Sequence, residues 1–238
     1  MKRLIMLLAL VALAVPTIAS AMTGGAGGAT CTPTGFVRDG INLTAAKIGG
    51  NLTGTLDATG CDIGVFYGPG AKGSVSSATI TNAKYFGVVN YRGSVDITNS
   101  SISRIGNSPF DGTQHGVGIL YTTEELAGGP TSGAAAGQIN NNVVSKYQKG
   151  GITVRGKGAS AQITGNTVTG AGKIDYIAQN GIQVSFGSTA RVLRNTVTGH
   201  DYTPAGTEAC GLLFYQAASD ATERSNTLFG NETNVFIG

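Results

Sequence analysis

One motif recurs along this chain and limits what it can fold into: a Gly followed by alternating apolar residues. It stands at Gly40-Ile41-Asn42-Leu43, Gly64-Val65-Phe66-Tyr67, Gly87-Val88-Val89-Asn90 and Gly118-Ile119-Leu120-Tyr121. It continues at Gly151-Ile152-Thr153-Val154, Gly181-Ile182-Gln183-Val184 and Gly211-Leu212-Leu213-Phe214, and Asn234-Val235-Phe236-Ile237 closes it with Asn for Gly. Successive starts are separated by 24, 23, 31, 33, 30, 30 and 23 residues. Between them falls a second pattern, apolar-x-x-Asn-x-apolar: Ile139/Asn142/Val144, Ile163/Asn166/Val168 and Val192/Asn195/Val197. Asn226 with Leu228 fits it, and so do Ile97/Ser100/Ile102 with Ser in the Asn place. Strands of three to five residues alternate their side chains between two faces. Gly and Asn suit corners that need positive φ. A shortest period of 23 residues is three short strands and three turns. Such a unit cannot bury its inner face alone, so copies stack and their strands pair in parallel. Asn142, Asn166, Asn195 and Asn226 then fall at one corner, where their amides can satisfy main-chain groups that the turn leaves unpaired.

Composition narrows the alternatives. Among 238 residues there are 38 Gly without a three-residue period, which excludes collagen and argues against helices. An apolar content of 41% excludes a disordered chain. Lys2 and Arg3, the apolar run Leu4 to Val15, Pro16 and Ala19-Ser20-Ala21 read as a cleaved signal peptide over 1–21. Residues 22–39 are then a cap or lead-in, and 40–238 carry the repeat. Without Lys2 and Arg3 the chain has 14 basic and 13 acidic residues, so neither nucleic acid nor a membrane is an expected partner. The expected location is secreted or periplasmic. There disulfides form, and Cys31 and Cys61 are read as a staple of the N-terminal end, with Cys210 a buried free thiol. The apolar strand ending at Gly238 suggests an end-to-end partner or a longer chain.

These repeats resemble those of the right-handed parallel β-helix of the pectate-lyase-like superfamily. Val143 to Val154 and Ile163 to Gly170 match its Ile-x-x-Asn-x-Val and Gly-Ile-x-Val repeats most closely, and the resemblance spans about residues 40 to 238. It implies an all-β, single-stranded right-handed β-helix of about eight coils. It also implies a ligand cleft on the outer face of the Gly-Ile-x-Val sheet, although the superfamily holds both enzymes and proteins without known chemistry.

By alternation, that outer face carries Phe66, Val89, Tyr91, Leu120, Thr122, Thr153, Arg155, Gln183, Ser185, Leu213 and Tyr215. The turns beside it, long over 103–115, 170–180 and 199–210, add Arg104, Asp111, His115, Lys149, Lys173, Asp175, Tyr176, His200, Asp201, Tyr202 and Glu208. The preferred reading is a non-catalytic scaffold that binds a polysaccharide or cell-surface glycan. The alternative is a lyase or glycoside hydrolase acting on acidic polysaccharide. A lyase needs a cation for the uronate carboxylate, a base and an acid, for which Arg155, Lys149, His200 and Tyr176 are the right types. A hydrolase needs two carboxylates, and Asp175 with Asp201 or Glu208 is the available set. Thr153, Gln183, Tyr91, Tyr215 and Tyr176 are candidate sugar contacts. No metal ligand set or cofactor motif is recognised, and the Asn-Thr-Asp, Asp-Asp and Gly-His-Gly motifs of polygalacturonase-like hydrolases are missing. The catalytic readings require Arg155 or a Lys beside a His or carboxylate in one groove.

Overall fold

A computed structural model describes residues 29–124 and 133–238. The signal segment at 1–21 and the start of the lead-in lie outside the described residues. Among those residues all regular structure is strand. The first strands are β1 (Thr32–Arg38), β2 (Ile41–Ile48), β3 (Gly50–Asp57), β4 (Ile63–Tyr67) and β5 (Lys72–Thr81). From there the chain takes three strand positions in rotation. The first position is filled by β6 (Phe86–Tyr91), followed by β7 (Ser94–Thr98) and β8 (Ser101–Ile105). The next set is β9 (Val117–Thr122), β10 (Gln138–Asn140) and β11 (Val143–Tyr147). Then come β12 (Gly150–Arg155), β13 (Ser160–Thr164), β14 (Thr167–Ile174), β15 (Asn180–Ser185), β16 (Thr189–Leu193) and β17 (Thr196–Tyr202). The last are β18 (Cys210–Tyr215), β19 (Thr222–Arg224), β20 (Thr227–Phe229) and β21 (Thr233–Ile237).

The Gly-Ile-x-Val strands form one sheet in the order β1-β2-β4-β6-β9-β12-β15-β18-β21, parallel throughout except for the antiparallel β1–β2 pair. The others form a second, parallel sheet that divides at β5. Lys72 to Ser76 pair with β7 and Thr79 to Thr81 with β8, and the bend between them is Ser77 at φ 50°. The interior holds Ile and Val from every strand position, including Val88, Ile97, Ile102, Ile119, Val144, Ile152, Ile163 and Val168.

Two details depart from the sequence expectation. Gly40, the first copy of the repeat, is at φ 78° in the turn joining the antiparallel β1 and β2. The later repeat glycines are needed for close approach instead of an unusual φ. A Cβ on Gly118 would lie 2.5 Å from Val144 Cγ1 and 2.7 Å from the carbonyl oxygen of Gly151 on the next strand. A methyl group there would force adjacent strands apart.

At the corner before β8, β11, β14, β17 and β20 a polar ladder runs through the interior. Ala78 N–H donates to Ser100 Oγ (3.1 Å), Ser100 N–H to Asn142 Oδ1 (3.0 Å) and Asn142 N–H to Asn166 Oδ1 (2.9 Å). Asn166 N–H donates to Asn195 Oδ1 and Asn195 N–H to Asn226 Oδ1, both at 2.9 Å. The same amides give Nδ2 protons to the carbonyls of Ile97, Ile139, Ile163 and Val192. Buried backbone groups that strand pairing cannot reach are thus satisfied.

Candidate functional site

The outer face of the Gly-Ile-x-Val sheet is partly covered. Phe36 of β1 packs 5.8 Å from Phe66, 6.3 Å from Phe86 and 5.2 Å from Tyr91, ring centre to ring centre. Val89 and Leu120 join this second, smaller core. The apolar outward stripe is therefore a docking surface for the chain's own N-terminal strand. This corrects the reading of Tyr91 as a sugar contact, because only 3% of it is exposed. Cys31 and Cys61 form a disulfide just before β1 and β4, which ties the covering strand down.

Where the cover ends, a groove of about 220 Å³ opens over β9, β12 and β15. Arg38, Lys149, Thr153, Arg155, Gln183 and Glu124 line it, with Phe36 and Phe86 as apolar wall. Arg155 donates from Nε to Glu124 Oε2 at 2.6 Å, and its guanidinium lies 4.1 Å from the ring centre of Phe186. Phe186 meets Tyr215 edge to face at 5.5 Å. Lys149 donates from Nζ to the Ala178 carbonyl at 2.7 Å, and burial lowers its pKa. Arg38 donates from Nη2 to the Gln114 carbonyl at 2.7 Å, and its buried Nε has only Asp39 nearby at 3.5 Å. Desolvation lowers its pKa, partly offset by Asp39. Gln183 donates to Ser185 Oγ at 3.0 Å.

One wall is the 106–116 loop. Buried Gln148 holds it from below, accepting from the Asn107 and Asp111 N–H groups and donating to the Thr113 carbonyl at 2.7 Å. His115 packs 4.2 Å from Tyr85 and shares a 2.9 Å hydrogen bond with Asn107 Oδ1. Desolvation lowers its pKa, with Lys84 and Arg38 adding to the effect.

Of the sequence-predicted residues, Arg155, Lys149, Gln183 and Thr153 come together in the groove. His200 does not. It is fully buried in the interior, bonded to Tyr147 Oη at 2.5 Å and Asn231 Oδ1 at 2.8 Å. Its position on β17 turns the ring inward, so His200 is corrected from a groove residue to an interior one. Asp175, Tyr176 and Asp201 lie at the β14 and β17 ends outside the groove lining, and Tyr215 is exposed beside it. Glu124 and Arg38 were not singled out from sequence. Glu124 continues the outward alternation Leu120, Thr122, Glu124, which was the available signal. Nothing local marks Arg38, because only the fold-over of β1 brings it here.

Arg155 therefore does meet a carboxylate. It is the single one among the groove's described lining residues, and neither described His is beside it. No cluster of three or more His, Cys, Asp or Glu able to hold a metal ion occurs among the described residues. No helix among them is long and apolar enough to cross a membrane. Comparison with protein-family models, curated proteins and solved structures finds no match to this chain.

Proposed function

We propose that this chain is an exported right-handed parallel β-helix of about eight coils, pectate-lyase-like in architecture. We further propose that its outer-face groove binds an acidic sugar unit of a glycan without cleaving it. The rotation of strands through three positions, with like strands paired in parallel, supports the architecture. The Cys31–Cys61 disulfide suits an oxidising environment.

The binding reading is carried by one observation: Arg38, Lys149 and Arg155 converge with Thr153 and Gln183 on one groove. A uronate carboxylate is matched by a guanidinium fork. Glu124 occupies only Nε of Arg155, which leaves both terminal nitrogens as donors. Gln183 and Thr153 suit ring hydroxyls. The volume of about 220 Å³ is below the roughly 300–1,000 Å³ of drug-sized sites, so one sugar fits and its neighbours lie outside. Exposed Tyr215 offers the next unit an aromatic face. Hydrolysis draws no support from the described lining residues, since paired carboxylates are required and Glu124, engaged by Arg155, is the one carboxylate among them.

Calorimetric titration of the purified protein with oligogalacturonate, oligoalginate and neutral glucan oligomers tests this. Acidic oligomers should bind and neutral ones should not. Arg155→Gln and Lys149→Gln should each weaken binding about tenfold, roughly 1.4 kcal/mol. Equal binding of neutral oligomers would overturn the acidic-sugar reading. Unsaturated-uronide absorbance that disappears in Arg155→Gln would replace binding with lyase activity.

A further inference from the structure

A second groove, larger than the first, lies on the other side of the 106–116 loop. Its volume is about 920 Å³, and it runs between the 59–61 turn and residues 106–110. Lys84, Arg104 and Lys146 line it, with Asn82, Asn107 and half-buried Phe110. All three cations are exposed, and no carboxylate is among the lining residues. For a chain that is nearly charge-balanced once Lys2 and Arg3 are set aside, this is a local concentration of positive charge.

The backbone makes the arrangement costly, which is a separate observation. Asn82, Arg104 and Lys146 occupy one corner on adjacent strands, as the pairings Thr81↔Ser103 and Ser145↔Ser103 show. They sit at φ 65°, 56° and 51°. That left-handed region suits Gly and Asn and disfavours long side chains. Further along the same corner the chain uses Gly199 at φ 78° and Gly230 at φ 62°. Gly is therefore accepted at this bend, yet the positions bordering the groove carry Arg and Lys. Arg104 is also aimed: Nε donates to Asn82 Oδ1 at 2.8 Å, and Asn82 Nδ2 donates to Asp57 Oδ1 at 2.8 Å. This relay orients the guanidinium and leaves its terminal nitrogens for a ligand. Left-handed backbone at long side chains also occurs away from this groove, at Phe186, Arg194 and Gln216, so the oriented Arg104 and the local concentration of cations are what mark this site.

We propose that this second groove binds an oligosaccharide carrying carboxylate or sulfate groups, independently of the outer-face groove. Arg104 and Lys146 stand one strand apart, a backbone spacing of about 4.8 Å, so they can meet anionic groups along one polymer. The volume accommodates several sugar units, and Phe110 supplies an apolar face to one of them. Nucleic acid is the poorer match. It calls for successive stacking aromatics and a strongly basic domain, whereas one aromatic lines this groove.

The test is titration of the full chain with a heparin-derived hexasaccharide and, separately, an oligogalacturonate hexamer. The two arms distinguish sulfate from carboxylate recognition. The double variant Arg104→Asn/Lys146→Asn should bind at least tenfold more weakly in one arm or both. Its melting temperature should be equal or higher, because Asn tolerates the left-handed backbone. Lys84→Gln, at an exposed position, should weaken the same binding several-fold with no change in melting temperature. In an Arg155→Gln background, where outer-face binding is already weakened, the binding that remains should fall at least tenfold when Arg104→Asn/Lys146→Asn is added. Unaltered affinity in both the double variant and Lys84→Gln would overturn the second groove. Loss of all binding in Arg155→Gln alone would assign every acidic contact to the outer face and likewise overturn it.

Discussion

Tyr147, His200 and Asn231 form a short polar chain inside an otherwise apolar interior. Asn231 Oδ1 can only accept, so the His200 proton is on Nδ1, and Nε2 accepts from the Tyr147 hydroxyl. Burial holds the imidazole down to about 4, only partly opposed by its bond to Asn231. An ordinary His in the unfolded chain titrates near 6.5. Between those values the unfolded chain binds a proton that the folded chain does not, so stability falls as the pH falls from about 6.5 to about 4. The loss should reach about 3 kcal/mol and then level off for this group. Urea unfolding followed across that window checks this, and His200→Gln should flatten the dependence. Asp111, held down to about 2 by hydrogen bonds from Thr113 and Asn107, loses its contribution at lower pH. Tyr147→Phe should cost about 1–3 kcal/mol by leaving Nε2 unpaired. His200 shows why residue type alone misleads: the sequence marks it as a candidate base, but its orientation on β17 decides that it is structural.

The strands are held in register by two devices, each of which repeats with the sequence. Asn166→Ala removes the acceptor of Asn142 N–H and the donor to the Ile139 carbonyl, both buried. A loss of about 3 kcal/mol in chemical unfolding is expected. Asn226→Ala, at a half-buried site, should cost clearly less. Equal losses would mean that the ladder is not the source of the effect. Gly118→Ala should destabilise by more than an ordinary strand Gly→Ala change, since its methyl would meet Val144 and the Gly151 carbonyl. The Asn ladder could be read ahead of the structure because it depends on spacing, which a linear pattern records. The steric role of the strand glycines could not, because it depends on which atoms of the neighbouring strand lie opposite.

On the scale of the molecule, the covering strand β1 determines what the outer face can do. Its attachment closes a loop of 30 residues through Cys31 and Cys61, and removing such a link costs about 3–4 kcal/mol. Reduction should therefore lower the melting temperature. It should also weaken acidic-sugar binding more than it weakens overall folding, because Phe36 and Arg38 wall the groove from β1. A reduced protein that binds sugar with undiminished affinity would separate the cover from the site.

The all-β class, the parallel pairing of like strands and the Cys31–Cys61 link were all legible in the sequence. Repeated Gly, Asn and β-branched positions each make a local demand that only a stack of short strands meets. Arg155, Thr153 and Gln183 were placed on the outer face by alternation, and Lys149 in a turn beside it. The rest belonged to the tertiary structure. That β1 folds back over Phe66 and Tyr91, that Arg38 and Glu124 close the groove, and that His200 turns inward all depend on contacts between distant segments. Those contacts are set by the complementary shapes of packed surfaces, which no spacing along the chain encodes.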